Sequence, residues 1–95
     1  MLEKQIEQKL KEQIESLGGK AFKFISPGNS GVPDRIILLN GQCYFVELKR
    51  PGGKLRPLQE SVHQQFEQLG FHVYVISSIE EVKEFIEKIR GGKNG

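Results

Sequence analysis

Val32-Pro33-Asp34-Arg35-Ile36-Ile37-Leu38-Leu39-Asn40-Gly41-Gln42-Cys43-Tyr44-Phe45-Val46-Glu47-Leu48-Lys49 holds two apolar runs joined by Asn-Gly. Asn-Gly between such runs is the strongest short-range sign of a β-hairpin with a two-residue turn. In that register Leu39 faces Gln42, Leu38 faces Cys43 and Asp34 faces Glu47. Directly opposed residues hold their Cβ atoms roughly 4.5–5.5 Å apart. Two carboxylates that close repel each other, and a divalent cation between them reverses the cost. Lys49 lies two residues past Glu47 and leaves the strand on the same face. Alone, Asp34 reads as a cap of the turn after Pro33, and Lys49 as a salt-bridge partner of Glu47. Glu47 is harder to explain that way, because a charge in an apolar strand requires a partner. Together and in register, the three predict a metal site at one end of a sheet.

Outward from the hairpin, the periodicities alternate. Leu2, Ile6, Leu10, Ile14 and Leu17 recur every three or four residues, an amphipathic helix stopped by Gly18-Gly19. Residues 21–25 read as a strand, and 26–31 as a loop rich in turn residues. Arg50-Pro51-Gly52-Gly53-Lys54 is a basic loop. Pro57 suits a first helical position, and the helix it opens carries Leu58, Val62, Phe66 and Leu69 to Gly70. His72 to Ile76 is a continuous apolar strand, as expected where both sheet faces are covered. Ser78 and Glu81 have the spacing of a capping box for a last helix that buries Ile79, Val82, Phe85, Ile86 and Ile89. The predicted order is α-β-β-β-α-β-α, a mixed α/β sheet flanked by helices. The helix between the last two strands makes their pairing parallel through a right-handed crossover. Residues 1–90 are expected to form a single domain and 91–95 a flexible tail.

The chain has 95 residues, of which 37% are hydrophobic. That is too many for a disordered chain, and no run is long enough to span a bilayer. The N-terminus alternates charge and lacks an apolar signal core, which points to the cytosol. One cysteine, Cys43, excludes a disulfide framework or a cysteine-based zinc site within the chain. The net charge of +2 is unevenly spread: residues 20–56 hold seven basic side chains and two acids, Asp34 and Glu47. A basic surface around two carboxylates suits a polyanion cut with metal help. His63 and His72 read as surface or packing residues, and the phenylalanines as mostly core, with Phe71 partly exposed.

Pro33-Asp34 followed by Glu47-Leu48-Lys49 resembles the PD-(D/E)XK nuclease motif on the matching element order. The stretches Ser26 to Arg35, Phe45 to Leu55 and Pro57-Leu58-Gln59 resemble the VRR-NUC family, the virus-type replication-repair nucleases, in its small stand-alone phage and prophage form. The resemblance implies a restriction-endonuclease-like fold in which Asp34, Glu47 and the Leu48 carbonyl bind Mg²⁺ or Mn²⁺. It implies that Lys49 orients the attacking water and that Gln59 joins the site from the second helix. A first-helix glutamate completes such sites: Glu7 borders the buried stripe, and Glu3 is its rival one turn earlier. Lys23, Ser26, Asn29, Arg35, Arg50, Lys54 and Arg56 are candidate DNA contacts.

The reading is a metal-dependent endodeoxyribonuclease in a bacterial or phage-infected cell. No insertion supplies a sequence-reading element, so structure-selective cutting fits better than sequence-specific cutting. Small relatives imply a homodimer acting on branched DNA such as four-way junctions. The rivals are a catalytically idle nucleic-acid-binding module on the same fold and a structural subunit of a phage repair complex.

Overall fold

The computed structural model describes residues 2–91; the end of the expected tail, from residue 92, lies outside the described residues. Seven elements follow the predicted order: α1 (Glu3–Ser16), β1 (Lys20–Lys23), β2 (Arg35–Leu39), β3 (Gln42–Leu48), α2 (Pro57–Gln68), β4 (Val73–Ile76) and α3 (Ile79–Arg90). No helix among the described residues is long and apolar enough to cross a membrane.

The Asn40-Gly41 turn fixes the hairpin. Both residues have positive φ, 53° and 77°, the combination a type I′ turn demands and a pair that Asn and Gly tolerate. The resulting antiparallel register pairs Leu39 with Gln42, Leu38 with Cys43 and Arg35 with Val46. β1 adds to β2 antiparallel, and β4 adds to β3 parallel, giving the order β1-β2-β3-β4.

Alternation along the strands gives the sheet two unlike faces. Ile37, Leu39, Val46, Leu48 and Ile76 point to one face, where Ile6, Leu10 and Ile14 of α1 and Val82, Phe85, Ile86 and Ile89 of α3 close a single core. On the other face α2 lies against Phe45, whose ring meets Phe66 edge-on at 5.0 Å between centroids. Glu47 is on this second face, so the acid is presented to α2 and not to the main core.

Four expectations need correction. β1 ends at Lys23, and Ile25 is 77% exposed, because the chain leaves the sheet after the Phe24 N–H bonds the Asp34 carbonyl. β4 starts at Val73, not His72, and is the sheet edge; Val73 and Ile76 are buried on its opposite faces, but Val75 is exposed. Leu2 of the predicted apolar stripe is 69% exposed, since the chain at this end has only just entered α1. The capping box of α3 is displaced: Ser78 Oγ accepts the Glu81 N–H as predicted, but Glu81 Oε1 accepts from Ser77 N–H and not from Ser78. On the second face, beyond the cover of α2, Phe22, Leu38 and Cys43 are exposed.

Candidate active site

Beyond the Arg35–Val46 end of the β2–β3 pairing lies a cleft of about 740 Å³. Asp34, just before β2, and Glu47, Leu48 and Lys49, at the end of β3, form its floor; the 26–32 loop forms one wall and the start of α2, with Arg56, Leu58 and Gln59, the other. The loop is held down by Gly31, whose missing Cβ would stand 2.6 Å from Val62 Cγ2 and 2.8 Å from the Leu58 carbonyl. Glu3 stands at the rim.

Asp34 sits one residue before β2, at the register position opposite Glu47. Its carboxylate accepts the Leu48 N–H at 3.3 and 3.4 Å and lies 3.6 Å from an Arg35 guanidinium nitrogen. Glu47 is 3% exposed. Its Oε2 accepts from Gln59 Nε2 at 3.1 Å and lies 3.8 Å from Lys49 Nζ. Gln59 Oε1 in turn accepts from Lys49 Nζ and from the Arg56 N–H, each at 2.9 Å. One side chain of α2 thus ties acid, lysine and helix start together, and this explains why a glutamine is buried at 6% exposure.

Burial pushes both acids up. The Glu47 carboxyl rises from an ordinary value of 4.5 to about 7, through loss of hydration first and the nearby Asp34 charge second, with Lys49 opposing. Asp34 is also raised by burial, against the pull of the Arg35 guanidinium and the Leu48 N–H. Burial, and then the Lys49 charge, lower His63. Two acids that resist ionisation beside each other are what a bound cation relieves. Among the described residues no three His, Cys, Asp or Glu side chains gather to hold an ion. A donor set of two carboxylates and a backbone carbonyl, completed by water and substrate phosphate, still fits Mg²⁺.

The residues singled out in the sequence are placed unevenly. Asp34, Glu47, Leu48, Lys49, Gln59, Ser26, Asn29 and Arg56 all line the cleft. Glu7 does not: it forms an ion pair with Arg35, part-buried on the α1 side of the sheet. The first-helix acid in the cleft is Glu3, one turn nearer the helix start. Arg35 is spent on Glu7 and Asp34 and is not a free cation for DNA. Lys23, Arg50 and Lys54 are exposed outside the cleft. Of the two alternatives for His63, surface or packing, the structure has the second: it is buried, with Nε2 3.6 Å from Glu47 Oε1. The one available signal was its spacing, four residues after Gln59 on the same helix face.

Residues 1–80 match the profile of the VRR-NUC domain family. The chain belongs to the VRR-NUC family. It is 46% identical over 77 residues to a protein named "Putative nuclease p44" of Acyrthosiphon pisum secondary endosymbiont phage 1, covering 80% of this chain and 83% of that one. A solved structure described as a VRR_NUC domain superposes with a TM-score of 0.84 at 35% identity, over 92% of this chain and 96% of the other. The fold and the nuclease class therefore hold together: this is a VRR-NUC nuclease domain, and its cleft is the place to look for the chemistry.

Proposed function

We propose that this VRR-NUC domain is a divalent-metal-dependent, structure-selective endodeoxyribonuclease acting inside a bacterial or phage-infected cell. The observation that carries the reading is the paired acids on the cleft floor, Asp34 and Glu47, with Lys49 alongside. Asp34, Glu47 and the Leu48 carbonyl are the groups that would hold Mg²⁺ or Mn²⁺. The ion supplies Lewis acidity to the phosphodiester and to the attacking water, and cancels the charge that otherwise repels a phosphate from this cleft.

The chain's own residues do the rest. Lys49 has three N–H donors, and one is engaged by Gln59 Oε1. The others are available to a phosphate oxygen or to the attacking water, where charge grows in the transition state. Gln59 fixes Lys49 and Glu47 relative to each other, so neither must be ordered during reaction. Glu3 at the rim is the first-helix acid for a water or a second ligand. Ser26, Asn29 and Arg56, which line the cleft, would contact the DNA backbone, with Arg50 and Lys54 extending the track; such contacts give position, not base sequence. The name of the phage relative, a nuclease, supports the nuclease part of this reading.

We further propose a homodimer that cuts branched DNA, with four-way junctions preferred. Exposed Phe22 and Leu38 offer apolar area for self-association, and two sites related by two-fold symmetry suit paired cuts. Linear duplex, flap and four-way junction DNA of matched sequence, incubated with Mg²⁺, Mn²⁺ or EDTA, test the whole reading. Metal-dependent cutting with the junction preferred supports it; junction binding without cutting favours the idle module instead.

A further inference from the structure

Three polar side chains are buried among the described residues: Glu47, Gln59 and His63. Gln59 and His63 stand four residues apart on α2, so both meet the sheet from one helix face. Gln59 satisfies Glu47 Oε2. Among the described residues, Glu47 Oε1 and His63 Nε2 are the two buried side-chain polar atoms with no hydrogen-bond partner, and they lie 3.6 Å apart. A buried orphan costs roughly 1–3 kcal/mol, and apolar side chains fill the neighbouring α2 positions Val62 and Phe66. An imidazole at this place is therefore poor packing material unless its nitrogen is used. The imidazole Nε2–H can donate, the ionised carboxylate oxygen of a metal-bound Glu47 can only accept, and a side-chain shift of under about 1 Å brings the two to hydrogen-bond distance.

We propose that His63 is a positioning residue: its Nε2–H donates to Glu47 Oε1 and holds that carboxylate in its metal-binding orientation. His63 does not line the cleft, so it acts through Glu47 and touches neither ion nor DNA. With Gln59 on one oxygen and His63 on the other, the carboxylate plane is fixed from behind. The proposal rests on the metal-site reading of Asp34 and Glu47. Groups that orient a ligand from behind typically change metal affinity by about 10–100-fold.

Thermal unfolding of the DNA-free protein across a Mn²⁺ titration reads the effect without catalysis. Wild type, His63→Leu, His63→Gln and His63→Asn are compared, with Mg²⁺ dependence of single-turnover cleavage in parallel. Leucine removes the donor, Gln places an amide N–H near the position of Nε2, and Asn leaves it short of Glu47. The expected result is a Mn²⁺ midpoint raised about tenfold or more in His63→Leu and His63→Asn, and restored to within about threefold by His63→Gln. If leucine impairs folding, the Gln and Asn pair decides alone. Equal midpoints for Gln and Asn, or a folded His63→Leu with the wild-type midpoint, overturn the proposal. A wild type whose unfolding ignores the metal overturns the metal-site reading, and this proposal with it.

Discussion

Glu47 carries its cost openly. A carboxyl raised to about 7 in the folded, metal-free protein binds more protons there than in the unfolded chain, where 4.5 is ordinary. Its contribution is complete below about pH 4.5 and is lost as pH rises through 7. Metal-free wild type should therefore lose stability relative to Glu47→Gln across that window, by up to about 3 kcal/mol. Urea unfolding of both proteins in EDTA at pH 5 and pH 8 measures the difference, and parallel curves would contradict it. The same substitution should cut cleavage by at least about 10²-fold while the fold survives, as should Asp34→Ala. Lys49→Ala should lose turnover by a similar factor and keep most of its DNA affinity, measured in Ca²⁺, because the proposed role of Lys49 lies in the transition state. Collapse of binding with an unchanged saturated rate would reduce Lys49 to an anchor. Asp34, Glu47 and Lys49 were legible because a hairpin register brings them together over a short stretch. The pairing of Glu7 with Arg35 spans 28 residues and leaves no local pattern. His63 was hidden for another reason: on a helix face, a buried polar residue has the same periodicity as core.

At the scale of elements, glycine did most of the punctuation. Gly18 and Gly70 both take positive φ, 91° and 95°. After each, the next N–H reaches back to a helix carbonyl, Gly19 to Ile14 and Phe71 to Phe66, the Schellman ending that a helix–Gly pattern announces. Strand ends were less legible. Whether β1 stops at residue 23 or 25, and whether β4 lies inside the sheet or at its edge, depends on neighbours that no local pattern encodes. Gly31 is the element-level test. An alanine there meets Val62 and the Leu58 carbonyl too closely, so the 26–32 wall must lift from α2. Overpacking of this kind costs about 1–3 kcal/mol. Gly31→Ala should lower Tm and cleavage together, while Gly28→Ala, whose added Cβ meets nothing within 4 Å but whose φ is +80°, should cost only about 1 kcal/mol of backbone strain. Tm values and single-turnover rates of the two variants check this; a Gly31→Ala protein matching wild type in both would show that the loop does not need its seat on α2.

Over the whole molecule, charge and shape point the same way. The exposed cations Arg50, Lys54 and Arg56 follow one another on the loop leading into α2, beside a cleft floored by acids. Affinity for DNA should fall steeply with salt, and the double variant Lys54→Ala, Arg56→Ala should flatten the slope by about two charges without changing preference among linear sequences. Binding isotherms over a salt series measure it, and an unchanged slope would move the DNA track elsewhere. Light scattering at the same concentrations should return a dimer if paired cuts on junctions are its work. The central claim remains the acid pair and its ion, and the most direct measurement is single-turnover cleavage of a four-way junction by wild type and Glu47→Gln in Mg²⁺, Mn²⁺ and EDTA. Cutting by wild type alone, restored by either ion and absent in EDTA, is the predicted result. Equal cutting by both proteins, or wild-type cutting that persists in EDTA, would contradict it.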